Sequence, residues 1–432
     1  MRAALGSLTI LIVLAACMLS DTGDQPTVRE IPNPALPGAR FPFPAPNSDA
    51  GTSMWSWLEP ETQAPEPGSE NASAMRLVWA AFDGENWSGP EVITRGEGIF
   101  ANWADFPSLA GIDDVPVAAH WPQKIPGGTY AYHVNMAFRS EAGVWSRPII
   151  PHADRSQTEH GFVSMVPLDS ERVLTIWLDG YRMKGPESEG ESSTGESHGG
   201  NGDLSAAMSL RSVVVHRDGT REEEIEVDSA VCDCCQTSAV RSGNRVVAIY
   251  RNRSENEIRD IYRAVYDLDQ GVWSPPLALS NEAWEIAGCP VNGPQIAASG
   301  ETVIGTWFTA ADGQPRSYFA VSRDGGQSFG EPQALDGGAS TGRVGIAFNH
   351  EDLALMTWIG STDDSSVVFG RLWQPSGIAP PFVIGQIDAS RASGFPRVAA
   401  TGAGFLVAWT EAGSEERSQS RIKTLFVSPG ET

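Results

Sequence analysis

The sequence predicts an all-β fold, a β-propeller of four-stranded antiparallel blades, and three observations carry that prediction. The chain of 432 residues holds 45 glycines and 30 prolines, a composition rich in turns and poor in long helices. A short pattern, an apolar strand closing on an aromatic residue, recurs at Trp57, Trp121, Trp177, Tyr250, Trp307, Trp358 and Trp409. The copies stand roughly 50 to 70 residues apart, the length of a blade with its loops. Seven copies predict seven blades, with a six-bladed ring carrying one degenerate copy as the alternative.

Each copy is built alike. An earlier strand signal precedes the aromatic, as in Phe106-Pro107-Ser108-Leu109-Ala110, Phe162-Val163-Ser164-Met165 and Phe395-Pro396-Arg397-Val398-Ala399. A third, alternating strand and a glycine-bearing turn follow. The last copy stops after Leu425-Phe426-Val427, one strand short. The segment Val28-Arg29-Glu30-Ile31 is expected to supply that strand, closing the ring and removing two open sheet edges. Residues 38–432 then form a single propeller domain. Within the third copy, the stretch 183–203 is too polar and glycine-rich to bury a core and is expected to be a disordered loop.

The first residues differ in kind. Arg2, an apolar run from Leu8 to Leu14, and Leu14-Ala15-Ala16 form an export signal over residues 1–16. The small residues before Cys17 resemble the lipobox of bacterial lipoproteins, which makes Cys17 the lipidated residue and 17–37 a tether. The expected location is the bacterial envelope, on the periplasmic side or the cell surface, with the membrane reached through the anchor only. A net charge of −24 argues against a protein that neutralises nucleic-acid phosphates or lies on anionic lipid. A monomer with a small ligand or glycan as partner is the expectation.

In a propeller, the innermost strand of each blade begins at the ligand-binding face, and the loop between the second and third strands returns there. Residues ahead of each inner strand should therefore meet at the channel mouth. These are Arg40, Trp103 and Asp105, His152 and His160, Cys232 with Cys234 and Cys235, Cys289 with Asn292, Arg343, and Arg391. Asp179, Arg182, Arg251 and Arg253 follow closing aromatics and join them. Trp103 and Trp284 read as stacking surfaces for a sugar ring, and Arg251, Arg253, Asn292 and Arg343 as ligand-binding groups. His120 and His133 lie within strand patterns and read as packing residues.

With Cys17 used by the anchor, four cysteines remain, three of them in Val231-Cys232-Asp233-Cys234-Cys235-Gln236-Thr237. Three readings stay open. They form structural disulfides in an oxidising compartment. They hold a soft metal ion such as Cu(I), with His160 or His152 in reach. Or one is a reactive thiol whose pKa Arg251 and Arg253 depress. In each case the four sulfurs should lie together at the mouth.

The most specific signature is a turn. Ser322-Arg323-Asp324-Gly325-Gly326-Gln327-Ser328-Phe329 matches the Asp-box, Ser-x-Asp-x-Gly-x-x-aromatic. With the repeat and the lipobox, it makes the chain resemble the bacterial sialidase-like, BNR-repeat lipoproteins. The resemblance implies a sialidase-like propeller with structural Asp-boxes between third and fourth strands, opposite the ligand face. Sialidases use three arginines for the substrate carboxylate, a tyrosine paired with a glutamate as nucleophile, and an aspartate as acid and base. Arg40-Phe41-Pro42 partly matches the family's Arg-Ile-Pro, and Arg343 with Arg391 or Arg397 would complete the triad. Asp49 and Asp105 are the candidate acids, while no tyrosine begins a late inner strand. The catalytic candidates are thus Arg40, Asp105, Arg343 and Arg391. The leading expectation is a tethered propeller that binds a glycan or a soft metal at a Cys/Arg-lined mouth. An exo-α-sialidase-type glycoside hydrolase and an envelope interaction scaffold are the alternatives.

Overall fold

The structure is a computed structural model and describes residues 25–45, 51–61, 74–183, 204–338, 340–362, 365–402, 404–414 and 419–430. The export signal, Cys17, Asp49 and the 184–203 part of the expected loop lie outside the described residues.

Seven antiparallel sheets follow one another around the ring. The first blade runs through Arg40–Pro44, Ser53–Pro60, Met75–Phe82 and Glu91–Gly96, and the second through Ser108–Ile112, Val115–Lys124 and Tyr132–Phe138. In that second blade an isolated bridge from Met136 to Ile149 stands where a fourth strand would pair. The third blade is built from His160–Pro167, Arg172–Asp179, Met208–His216 and Ile225–Val231. The inner strands of the remaining blades are Ser238–Ser242, Gln295–Ser299, Ser340–Phe348 and Arg397–Thr401.

The ring closes as the sequence predicts. Thr27–Glu30 pairs antiparallel with Arg421–Ser428, matching Thr27 to Ser428 and Glu30 to Leu425. The last blade is therefore made from both ends of the described chain, and its outer edge is paired rather than open.

The sequence repeat is a packing repeat. All seven closing aromatics are buried, Trp177 and Trp307 completely. The core is divided among the junctions between neighbouring blades. Trp177 packs with Ala110, Val117 and Phe138 of the blade before it, and Trp57 with Leu406 and Phe426 of the last blade. One large ring per blade fills the wedge that opens between two twisted sheets.

The Asp-box lies between the third and fourth strands of the fifth blade. Ser322 Oγ donates to Asp324 Oδ1 at 2.7 Å and accepts the Gly326 N–H at 2.8 Å, while the Ser328 N–H reaches Asp324 at 2.9 Å. Gly326 has φ +82°, and a Cβ there would lie 2.3 Å from Val247 Cγ2, so only glycine fits. These bonds hold the Asp324 carboxyl down at about 2 against the opposing effect of its partial burial.

Candidate functional site

The mouth is assembled from the loops that lead into the inner strands, and close backbone approaches draw them together. Gln236 donates to the Ala104 carbonyl at 2.6 Å and accepts from the Gly293 N–H at 3.2 Å, linking the second, fourth and fifth blades. At Gly293 a Cβ would lie 2.2 Å from the Gln236 carbonyl oxygen, and at Gly161 one would lie 2.0 Å from Asp105 Oδ2. Three non-glycine residues at strand entries adopt positive φ: Phe41 at 57°, Phe162 at 55° and Arg343 at 53°. Such conformations cost about 1–3 kcal/mol each and persist where the surroundings impose them.

One side of the mouth is a sulfur and arginine network in the fourth blade. Cys232, Cys234 and Cys235 bring their sulfurs within 4.8 Å of one another, with Cys232 to Cys235 at 2.8 Å and Cys232 to Cys234 at 3.9 Å. All four described cysteines are free, and Cys289 is exposed. Arg259 donates from Nη1 to Cys232 Sγ at 3.5 Å and from Nη2 to Glu257 at 2.9 Å. Glu257 also binds Arg253 at 2.7 Å, and Arg253 reaches Asp233 at 3.1 Å. Arg251 gives its donors to the backbone carbonyls of Arg259, Asn292 and Phe308.

In this buried group three guanidiniums meet two carboxylates, so a thiolate at Cys232 brings it to neutrality. Burial alone would raise the Cys232 thiol, but hydrogen bonds from Cys234 and Cys235 and the charges of Arg259 and Arg251 hold it well below the usual thiol range. The same hydrogen bonds, with one from Cys289, push Cys234 well above that range, and burial pushes up Cys235. These opposite directions favour the thiolate at Cys232 over one at Cys234 or Cys235.

The opposite side belongs to the second, sixth and seventh blades. Trp103 stacks on Phe395 at 5.8 Å and 9° between planes, with Arg343 at 5.0 Å and Arg391 at 5.4 Å from its ring. Arg397 lies 5.5 Å from the Phe395 ring and also covers Phe43 and Phe106. None of these three arginines has a described carboxylate within 4 Å. Arg343 donates to the carbonyls of Gly394 and Ser390, its backbone N–H to Asn292 Oδ1, and Arg397 to Gln295 Oε1. Burial, then the neighbouring charge of Arg391, lowers Arg343 to about 10, and burial lowers Arg397 to about 9.

Beneath the mouth, the axial channel holds a cavity of about 120 Å³ lined in part by Asp105, Phe106, Gln236, Gln295 and Arg397. Sites that enclose small molecules usually span about 300–1,000 Å³, so this cavity is small for one. At the cavity wall, Tyr132 donates its hydroxyl to Asp105 Oδ2 at 2.8 Å and lies 2.5 Å from Glu159 Oε1. Burial, as the largest cause, raises Asp105 to about 6 and Glu159 to about 8. Tyr132 itself is fully buried and stacks on Phe100, Asp105 is buried beside it, and Glu159 is partly exposed.

The structure thus brings Trp103, Arg343 and Arg391 together and gathers Cys232, Cys234 and Cys235, with Cys289 beside Cys234. His160 does not share the sulfur group; it stands with His133, His152, Asp154 and Asp179. Both faces read as sugar platforms are covered, Trp103 as described and the buried Trp284 by Arg251 at 4.9 Å and an edge contact to Phe308. Arg40 lies over Phe41 at 5.5 Å. Arg182 pairs with Glu226 at 2.9 Å. His120 shares a 2.6 Å bond between Nδ1 and Ser108, and both His120 Nε2 and His133 Nδ1 are buried without a partner. Sequence reasoning missed Tyr132, Glu159 and Arg259. Tyr132 opens a third strand at the mouth, a position that the search confined to inner strands passed over.

No known family model matches the chain, and no curated protein matches it. Among solved structures, a protein of unknown function from Dyadobacter fermentans aligns over 93% of this chain and 99% of its own at 13% identity, with a TM-score of 0.50. An ulvan lyase of polysaccharide lyase family PL25, bound to -[GlcA(1-4)Rha3S]-, aligns over 93% and 96% at 12% identity and a TM-score of 0.52. The phage phi92 endosialidase covers 94% of this chain with 70% of its own length at 9% identity and a TM-score of 0.47. At these identities the likeness is one of fold. The chain is a seven-bladed, all-β propeller.

Proposed function

We propose that the protein binds an anionic, carboxylate-bearing glycan at the arginine and tryptophan side of the mouth. The observation that carries this reading is the meeting of Arg343, Arg391 and Arg397 around Trp103 and Phe395 with no described carboxylate within 4 Å of their guanidiniums, Asp388 acting on Arg343 only from farther off, in a protein of net charge −24. Cations left unpaired where acids are plentiful are suited to a negative ligand, and guanidiniums offer the forked donors that a carboxylate accepts in pairs. Binding rather than hydrolysis is the function we assign, because Tyr132, the tyrosine that meets Glu159, is fully buried below this surface.

Calorimetric titration with glucuronic-acid and sialic-acid oligosaccharides, beside neutral sugars of equal length, tests it. Acidic sugars should bind with an affinity that falls as salt rises, and Arg391→Ala should weaken them about tenfold or more, about 1.4 kcal/mol. Equal binding of neutral sugars, or affinity unchanged by Arg391→Ala, defeats the reading.

A second reading rests on the sulfur group: Cys232, Cys234 and Cys235 bind a soft ion, with Cu(I) as the probe. Free-thiol counting on protein purified without reductant separates this from disulfide formation. Cu(I) retained against a chelator by the wild type and lost in Cys232→Ser supports it. Export and lipid anchoring belong to the same proposal, and Cys17→Ala should move the protein from the detergent phase to the aqueous phase.

A further inference from the structure

A second cluster of donors lies apart from the sulfur group, at the junction of the second and third blades. His133 stands near the start of Tyr132–Phe138, His160 opens the inner strand His160–Pro167, and Asp179 closes Arg172–Asp179. Asp154 and His152 come from the loop between them. Two overlapping groups share His160: His133, His152 and His160, and Asp154, His160 and Asp179, each with its ligand atoms within 4.8 Å of one another.

Three features bear on what such a cluster is for. His133 is 7% exposed, and its Nδ1 is buried with no hydrogen-bond partner. An orphaned lone pair or N–H at that depth costs about 1–3 kcal/mol unless something outside the chain satisfies it. His160 turns Nε2 toward Asp154 Oδ2 at 3.1 Å and Asp179 Oδ1 at 3.7 Å, while Nδ1 faces the carbonyls of Tyr132 and Thr158 at 3.3 and 3.2 Å. A ring that gives one nitrogen to backbone carbonyls and aims the other at carboxylates has the outer bonding of a metal-bound histidine. Asp179 is itself oriented by Trp177 Nε1 at 2.8 Å and the Tyr181 N–H at 2.9 Å.

The ring geometry divides the histidines. His152 and His160 stack in parallel, 4.1 Å apart and 7° between planes, and His152 Nε2 already accepts the Val134 N–H at 3.2 Å. An imidazole binds an ion in its ring plane, so two stacked rings do not share one. His133 and His160 instead meet at 64° with centroids 5.3 Å apart, an angle at which both planes can point to one centre.

We propose that His133, His160, Asp154 and Asp179 form a site for a divalent first-row transition ion of the zinc class, with His152 as a stacking support. Two imidazoles and two carboxylates suit zinc. Four protein donors in a buried junction make a closed, structural site. The ion would tie the second blade to the third and fix the segment that carries Glu159 against Tyr132. The proposal is independent of the glycan reading, because the site faces the blade junction.

The test uses the full chain, stripped with a chelator and equilibrated with ZnCl2, with bound metal measured by elemental analysis. One zinc per chain is expected in the wild type and in Cys234→Ser/Cys289→Ser, with a higher melting temperature than the stripped protein. Asp154→Asn, a conservative change on the partly exposed ligand, and His133→Phe, which fills the same space, should retain less than a tenth of that zinc. Cobalt(II) in place of zinc should give ligand-field absorption without thiolate charge transfer. Zinc retained in full by both variants, no zinc in the wild type, or a thiolate charge-transfer band at one equivalent would overturn the proposal.

Discussion

The two sides of the mouth carry the same cation in opposite conditions. On the sulfur side, Arg251, Arg253 and Arg259 are buried, and every one ends on a carboxylate, a backbone carbonyl or a sulfur. On the tryptophan side, Arg343, Arg391 and Arg397 lie over aromatic rings and have no described carboxylate within 4 Å. A charge taken out of water is best neutralised within the fold, while one at the rim, as at the exposed Arg391, can be left for a ligand; Arg397 is the exception on its side, buried with Gln295 Oε1 as its acceptor. The first set is therefore architecture around Cys232, and the second is a surface prepared for an anion.

The largest expected effect breaks the first side. Arg259→Met removes the cation between Glu257 and Cys232 and should cost about 2–3 kcal/mol, read by urea unfolding, through the charge-assisted bonds it breaks, while Arg253 keeps Glu257 paired. A loss below 1 kcal/mol would mean that the network is not compensated as described. Arg343→Met should cost about 1–2 kcal/mol through the carbonyl bonds it breaks, while abolishing most acidic-glycan binding. Equal effects of these two changes on stability would erase the contrast.

A third prediction concerns the carboxylates beneath both sides. Burial raises Glu159 to about 8. Its protonated form is favoured in the fold, so its contribution is complete below the ordinary carboxylate range and is lost as pH rises through about 8. Melting temperatures should fall across that window in the wild type, by the equivalent of about 1 kcal/mol or more, and Glu159→Gln should flatten the slope. An unchanged slope would show that the proton resides elsewhere. The smallest effect belongs to the exposed Arg391: Arg391→Ala should alter stability by no more than about 0.5 kcal/mol, which makes it the cleanest probe of binding.

The propeller was legible because its signals are local. A strand that ends on Trp or Tyr, a turn with Asp and Gly, and a terminal strand without a partner are each written within about ten residues. Repetition made seven weak signals into one strong one. The location of the cysteine cluster followed from the same periodicity. Side-chain partnership did not. Nothing near Cys232 announces Arg259, which lies a strand and a loop away, and Trp103 read as an open platform because its covering residues come from the sixth and seventh blades. His133 read as packing since its strand pattern shows only that it faces inward.

Chain order and strand period determined by themselves the class, the blade number, the closing strand and the face on which the polar loops meet. The tertiary structure alone decided which cations were neutralised, which histidines met, and that Tyr132 lay below the surface. Those outcomes depend on distances across blade junctions, where residues far apart in the chain share one dielectric environment, and no local pattern records them.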